Sequence, residues 1–141
     1  MEPGLAADQR IWVNKFVYLF HSPARGDVIV FNNPQPPHED LMKRVIGLPG
    51  DTITMDSTHI WVNNTLLNEP YITQPVNTVA NTWHIPANAY FVLSDNRLNG
   101  EDSRAIGPIL KDNIVGQAVL VLWPPHFIDT HSDVLSHIKN P

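Results

Sequence analysis

Turn-forming residues cut this chain into short apolar runs, and that punctuation limits the fold more than any other feature. The 13 prolines and 7 glycines recur between strand-length hydrophobic segments. Proline removes a backbone donor and glycine permits positive φ, so the pattern favours strands and tight turns over long helices. It predicts a mostly β fold: an antiparallel β-sheet or partly open barrel carrying a small β insertion. Arg10–Val17 reads as a first strand, and Val28–Phe31 as an apolar strand behind the Arg25-Gly26-Asp27 turn. Asn32–Glu39 holds three prolines and reads as a loop. Thr52–Met55 follows, then a hairpin over His59–Leu67 turning at Asn63-Asn64. Thr82–Ile85 and Tyr90–Leu93 read as strands joined across Pro86–Ala89, and Ile114–Trp123 as a final strand with Gly116 at a bulge or close approach. Glu69–Asn81 is polar and proline-broken. The expected organisation is a β domain over residues 1–124 with an insertion at about 56–81, then a tail, 125–141, with a short helix around Asp129–Ile138.

Composition excludes several function classes. A formal net charge of −5 gives no general attraction to nucleic acid, and no basic cluster carries interleaved aromatics. The absence of cysteine removes disulfides, thiolate metal sites and cysteine nucleophiles together. The seven histidines form no H-E-x-x-H or i, i+4 pair, so neither a metal nor another cofactor is expected. No apolar run approaches the ~20 residues that span a bilayer, and Met1-Glu2-Pro3 does not begin a signal peptide.

Two stretches carry chemistry. In Asp40–Asp51, strand alternation puts Lys43 on one face with Leu41 and Val45, and Met42, Arg44 and Ile46 on the other. Gly47-Leu48-Pro49-Gly50-Asp51 then makes a tight turn. A lysine set in an apolar layer loses hydration of its charged form, so its pKa falls and a neutral amine becomes available as a base. The competing reading is a solvated lysine whose stem lies over Leu41 and Val45. The second stretch, Ser94–Arg104, is a polar loop between apolar strands. Asp95, Asn96, Asp102 and Ser103 favour side-chain-to-backbone turns, and two arginines among three acids suggest an internal bidentate network.

K-R-x-x-G-x-P-G-D at Lys43–Asp51 and D-N-R-x-x-x-x-D-S-R at Asp95–Arg104 resemble bacterial type I signal peptidase. R-G-D-V-I-V-F at Arg25–Phe31 and V-N-K-F at Val13–Phe16 fall in the same order, and the resemblance extends over nearly all of Met1–Pro124. The resemblance implies a serine endopeptidase that removes signal peptides from exported preproteins, with a serine nucleophile and Lys43 as general base. It implies that Met1, Pro3, Asp40, Leu41 and Met42 line the substrate cleft, the last three as an edge strand that pairs with an extended peptide. Asp95, Asn96, Arg97, Gly100, Asp102, Ser103 and Arg104 would support the site, with Asp102 and Arg104 as an ion pair. A membrane anchor and an extracytoplasmic catalytic domain are likewise implied.

Departures from the family pattern are specific. The nucleophilic serine would stand immediately before Met1, so the chain as it stands is expected to be inactive; it is either a piece of a longer chain or an inactivated relative. Gly4 replaces the usual threonine, Ser94 a usual glycine, and Gly100 a serine that commonly hydrogen-bonds the lysine. The alternative function is a non-catalytic β domain that binds an extended peptide or partner at the same edge strand. Leu5, Trp12 and Phe16 would touch lipid in the first reading, although ordinary core packing is the expectation for Trp12 and Phe16.

Overall fold

The computed structural model describes residues 10–70, 72–76, 78–122 and 125–129. Eleven strands appear among them: β1 Ile11–Asn14, β2 Val28–Asn32, β3 Asp40–Gly47, β4 Thr52–Met55, β5 Ile60–Val62, β6 Thr65–Leu66, β7 Asn81–His84, β8 Ala89–Leu93, β9 Ile109–Leu110, β10 Ile114–Leu122 and β11 Pro125–Phe127. One-turn helices lie at Val17–Phe20 and Ser103–Ile106. The larger sheet runs β1-β10-β2-β3-β8-β9, with β11 also on β10, and the smaller runs β6-β5-β4-β7. Every paired neighbour is antiparallel, and among the described residues the large sheet does not close into a barrel. The sequence positions expected to be Met1, Pro3 and Leu5 contacts lie outside the described residues, as do Trp123 and all but the first residue of the expected tail helix.

The two sheets share a core. Ile46, Ala89, Phe91 and Leu93 of the large sheet are buried with Ile53, Met55, Ile60 and Val62 of the small one. On the other face of the large sheet, Ile29, Phe31, Val45, Tyr90, Val92 and Ile109 form a second cluster, with Leu41 packed against it. Strand alternation explains the division: Lys43, between Leu41 and Val45, belongs to this second face.

Turn chemistry sets the connections. Asn63 and Asn64 both adopt positive φ (50° and 64°), as a two-residue hairpin demands, and β5 and β6 flank them. At the Gly47–Asp51 turn, Gly50 has φ 86°, and a Cβ on Gly47 would lie 2.9 Å from the Phe91 Cβ. The Pro86–Ala89 turn does not join a hairpin. β7 pairs with β4 and β8 with β3, so this turn carries the chain from one sheet to the other.

Two expectations at the N-terminal end are corrected. The strand stops at Asn14, whose Oδ1 accepts from the backbone N–H groups of Phe16 (3.0 Å) and Val17 (3.2 Å) and starts a helical turn. Trp12 and Phe16 are not core residues; they are 61% and 71% exposed. Ile11 and Val13 take the inward positions of β1, which leaves Trp12 outward by alternation, and Phe16 has left the sheet altogether.

Gly116 is both bulge and close approach. The β2–β10 register shifts between Ile114 and Gly116, and a Cβ at 116 would sit 2.5 Å from the Asn14 carbonyl oxygen. Gly116→Ala therefore forces β1 from β10 and should lower stability by about 2 kcal/mol in chemical denaturation. An unchanged midpoint would mean that β1 does not seat on β10 this tightly.

Candidate active site

Lys43 stands where the large sheet changes from two neighbours to one. β3 pairs with β2 along Asp40–Arg44, but β8 joins only from Arg44, opposite Leu93. Asp40, Leu41 and Met42 therefore have an open edge on the β8 side among the described residues, with Asp40 exposed and Leu41 and Met42 half-buried. An edge of unpaired backbone groups is a template for an added strand. Lys43 closes the inner end of that edge. It is only 5% exposed, and burial lowers its pKa from the ordinary lysine value of 10.5; the carboxylates of Asp102 and Glu101 oppose the shift.

Three arginines pin the polar loop around this amine. Arg44, the neighbour of Lys43 on the opposite face, makes a bidentate pair with Asp95: Nε donates to Oδ1 at 2.8 Å and Nη2 to Oδ2 at 2.7 Å. Its Nη1 donates to the carbonyls of Gly26 (2.9 Å) and Asp129 (2.8 Å). Arg97, 1% exposed, donates from Nε to the Ser94 carbonyl at 2.8 Å and forks onto Glu69, with both contacts at 2.7 Å. Arg104 forks onto Asp102 through Nε (2.9 Å) and Nη2 (2.8 Å). It also donates to the carbonyls of Val76 (2.7 Å), Arg97 (2.8 Å) and Asn99 (2.6 Å). Such charge-assisted forks fix geometry as well as energy.

The acids have further duties. Asp102 is fully buried; it caps the Ser103–Ile106 turn and accepts from the Ser94 N–H at 3.0 Å. The Ser103 Oγ accepts from the Val92 N–H at 2.9 Å, tying that turn to β8. Asn96 Oδ1 accepts from the Leu98 N–H at 3.2 Å, shaping the loop tip that Gly100 follows. At the far end of β3, buried Asp51 accepts from Arg25 Nη1, the Leu48 N–H (2.7 Å) and Asn63 Nδ2 (2.8 Å), which locks the turn after the lysine strand.

The Asp102–Arg104 pair is as expected, but the network is not internal to the loop. Arg97 takes its acid from Glu69, in the proline-broken excursion, and Asp95 takes its cation from Arg44, on the lysine strand. Sequence reasoning missed both partners. Arg44 carried a signal, since an arginine on the face of Met42 and Ile46 must be paired if it is buried. Glu69 carried none, being one acid in a polar segment. Among the described residues no group of three His, Asp or Glu side chains is placed to hold a metal ion.

The site thus sets a buried lysine at the inner end of an open strand edge, with buried arginine–carboxylate forks holding the loop beside it. The family described as "Signal peptidase, peptidase S26" matches residues 1–123, and the chain belongs to that family. It is 39% identical to signal peptidase I of Leptolyngbya laminosa over 88% of this chain and 64% of that one. It is 34% identical to probable signal peptidase I-2 of Synechocystis sp., over 88% of this chain and 59% of that one. The chain thus spans less than two thirds of the length of these two relatives. A solved signal peptidase I from Enterococcus faecalis V583 matches with TM-score 0.60 and 29% identity, over 68% of this chain and 96% of that one.

Breaking the Arg104 fork leaves Asp102 charged, fully buried and without its cation. Arg104→Ala should cost about 3 kcal/mol of folding stability, read by denaturant titration. Melting like the parent would contradict the bracing role.

Proposed function

We propose that the chain is the catalytic domain of a signal peptidase that cleaves signal peptides from exported preproteins, with Lys43 as general base. The observation that carries the reading is the burial of Lys43 at the end of an unpaired strand edge. In a longer chain the nucleophile is a serine directly before Met1. The neutral Nζ of Lys43 removes the serine hydroxyl proton as the oxygen attacks the scissile carbonyl carbon. The resulting ammonium then protonates the leaving amine as the carbon–nitrogen bond breaks, which regenerates the neutral base and leaves an acyl-enzyme. Water, deprotonated by the same amine, attacks the acyl carbon; the ammonium returns the proton to the departing serine oxygen, which releases the signal peptide and restores both the hydroxyl and the neutral amine. The substrate lies extended against Asp40, Leu41 and Met42, with Met1 and Pro3 on the same cleft. Asp95, Asn96, Arg97, Gly100, Asp102, Ser103 and Arg104 form the support that keeps the amine in place. No cofactor takes part.

The proposed setting is the extracytoplasmic side of the cell membrane, with an N-terminal anchor in the longer chain. No helix among the described residues is long and apolar enough to cross a membrane. A groove of about 520 Å³ is lined by residues that include Trp12, Phe16, Val119 and Phe127. With Leu19 and Phe20, 74% and 86% exposed, these side chains offer an apolar face suited to the lipid surface. The open edge also fits a domain that binds an extended peptide without cleaving it. In that case Lys43 would be dispensable for peptide binding.

The test places a serine before Met1 and assays cleavage of a preprotein. Cleavage should appear with the serine and fall by at least about a thousandfold in Lys43→Ala. Since only the neutral amine accepts the proton, kcat/KM should rise with pH through the titration of Lys43, with its acid limb below the ordinary lysine range. Cleavage that survives Lys43→Ala, or peptide binding without cleavage, would overturn the protease reading.

A further inference from the structure

The loop that carries Asp95, Asp102 and Arg104 also holds the one asparagine–glycine step in the sequence, Asn99-Gly100. Both residues are exposed. The Asn99 Oδ1 accepts from the Glu101 N–H at 3.0 Å, an Asx turn that folds the side-chain amide back along the Gly100 peptide and polarises its carbonyl. Among the described residues nothing accepts from the Gly100 N–H or from Asn99 Nδ2. Gly100 has no Cβ to screen its nitrogen, and nothing lies within 4 Å of where one would be. Positive φ is found at Gly26, Gly50 and Gly107 but not at Gly100, so the turn does not require glycine here.

We propose that Asn99 is a site of spontaneous modification in the folded protein, passing through a succinimide to aspartate and isoaspartate and so disturbing the anchor of Arg104. The Gly100 backbone nitrogen attacks Asn99 Cγ and loses its proton. The Cγ–Nδ2 bond breaks, and the side-chain nitrogen takes up a proton and leaves as ammonia. Proximity within one loop drives this attack. Solvent water then adds to one of the two ring carbonyl carbons; that carbon's bond to the ring nitrogen breaks, and the nitrogen recovers a proton. Opening at Cγ gives aspartate on the original main chain. Opening at the main-chain carbonyl gives isoaspartate: the chain now runs through Cβ and Cγ, and the old carbonyl becomes a free carboxylate.

That carbonyl is the one Arg104 Nη2 holds at 2.6 Å. The same guanidinium forks onto Asp102 at 2.9 and 2.8 Å and also holds the Arg97 carbonyl at 2.8 Å. Isoaspartate sets a second carboxylate against Arg104, in competition with Asp102, and lengthens the main chain between the two carbonyls that Arg104 ties. Ordinary aspartate adds the charge without lengthening the chain. The inference stands whether or not Lys43 acts as a base.

The experiment incubates the folded 141-residue chain in mildly alkaline heavy-oxygen water, then digests it with trypsin in ordinary water, so that only conversion before digestion carries the label. Cleavage after Arg97 and Arg104 isolates residues 98–104, in which Asn99 is the single asparagine. Label should enter this peptide at least about tenfold faster than any other asparagine-bearing peptide, in two isomers of equal mass. Gly100→Ala should slow entry by at least about tenfold, since a Cβ hinders the nitrogen. Alanine meets neither a clash nor a strained φ at this position, so the variant keeps the fold. Label entering Asn99 no faster than Asn68 or Asn96, or at an unchanged rate in Gly100→Ala, would overturn the proposal. Converted protein, separated from the parent on an ion exchanger by its added negative charge, should unfold at lower denaturant than Asn99→Asp, in proportion to its isoaspartate content. Coincident midpoints would overturn the link to Arg104.

Discussion

Burial of one amine is the constraint on which the rest of the structure depends. An ammonium taken from water into an apolar layer loses its hydration, and the protein answers either by pairing it or by letting it neutralise. Here Lys43 sits between Leu41 and Val45 over the Ile29–Phe31–Val92 cluster without a salt-bridge partner among the described residues. Two of the loop's acids are already committed, Asp102 to Arg104 and Asp95 to Arg44, and the third, Glu101, is exposed. The arginine forks thus do two things. They hold the loop against β3 and β8, and they keep Asp95 and Asp102 from claiming the lysine as an ion pair.

The geometry around that amine follows from where β8 ends. Pairing with β3 stops at Leu93 because the Ser94 backbone N–H turns to Asp102 rather than continuing the ladder. One break therefore frees the Asp40–Met42 edge and begins the supporting loop. Asp51 plays the matching part at the other end of β3, drawing Arg25, Leu48 and Asn63 together. The smaller sheet is not an ornament on this design, since the segment that follows its hairpin delivers Glu69 to Arg97 and the Val76 carbonyl to Arg104.

Much of this was legible in local sequence. Period-two alternation placed Lys43 on the correct face, the Asn63-Asn64 turn and Gly116 bulge followed from backbone chemistry, and the Asp102–Arg104 pair followed from the family resemblance. What escaped were pairings between segments distant in the chain, 51 residues for Arg44–Asp95 and 28 for Arg97–Glu69. Charge alone does not choose among several acids and bases when the partner arrives through tertiary packing. The exposure of Trp12 and Phe16 escaped for a local reason: Asn14 ended the strand early, and a large aromatic is not by itself evidence of a core.

The central claim is that Lys43 is desolvated in the folded protein, and thermodynamic linkage tests it most directly. Its folded pKa lies below the unfolded value of 10.5, so the unfolded state binds the extra proton between those two values and stability rises with pH across that window. Below the folded pKa the charged amine weighs fully on the native state. Denaturant titrations of the parent and Lys43→Met should therefore show the variant more stable at pH 6, with the gap narrowing steadily as pH approaches 10. A gap that does not change with pH would mean that the amine stays solvated, and the account built on it would be wrong.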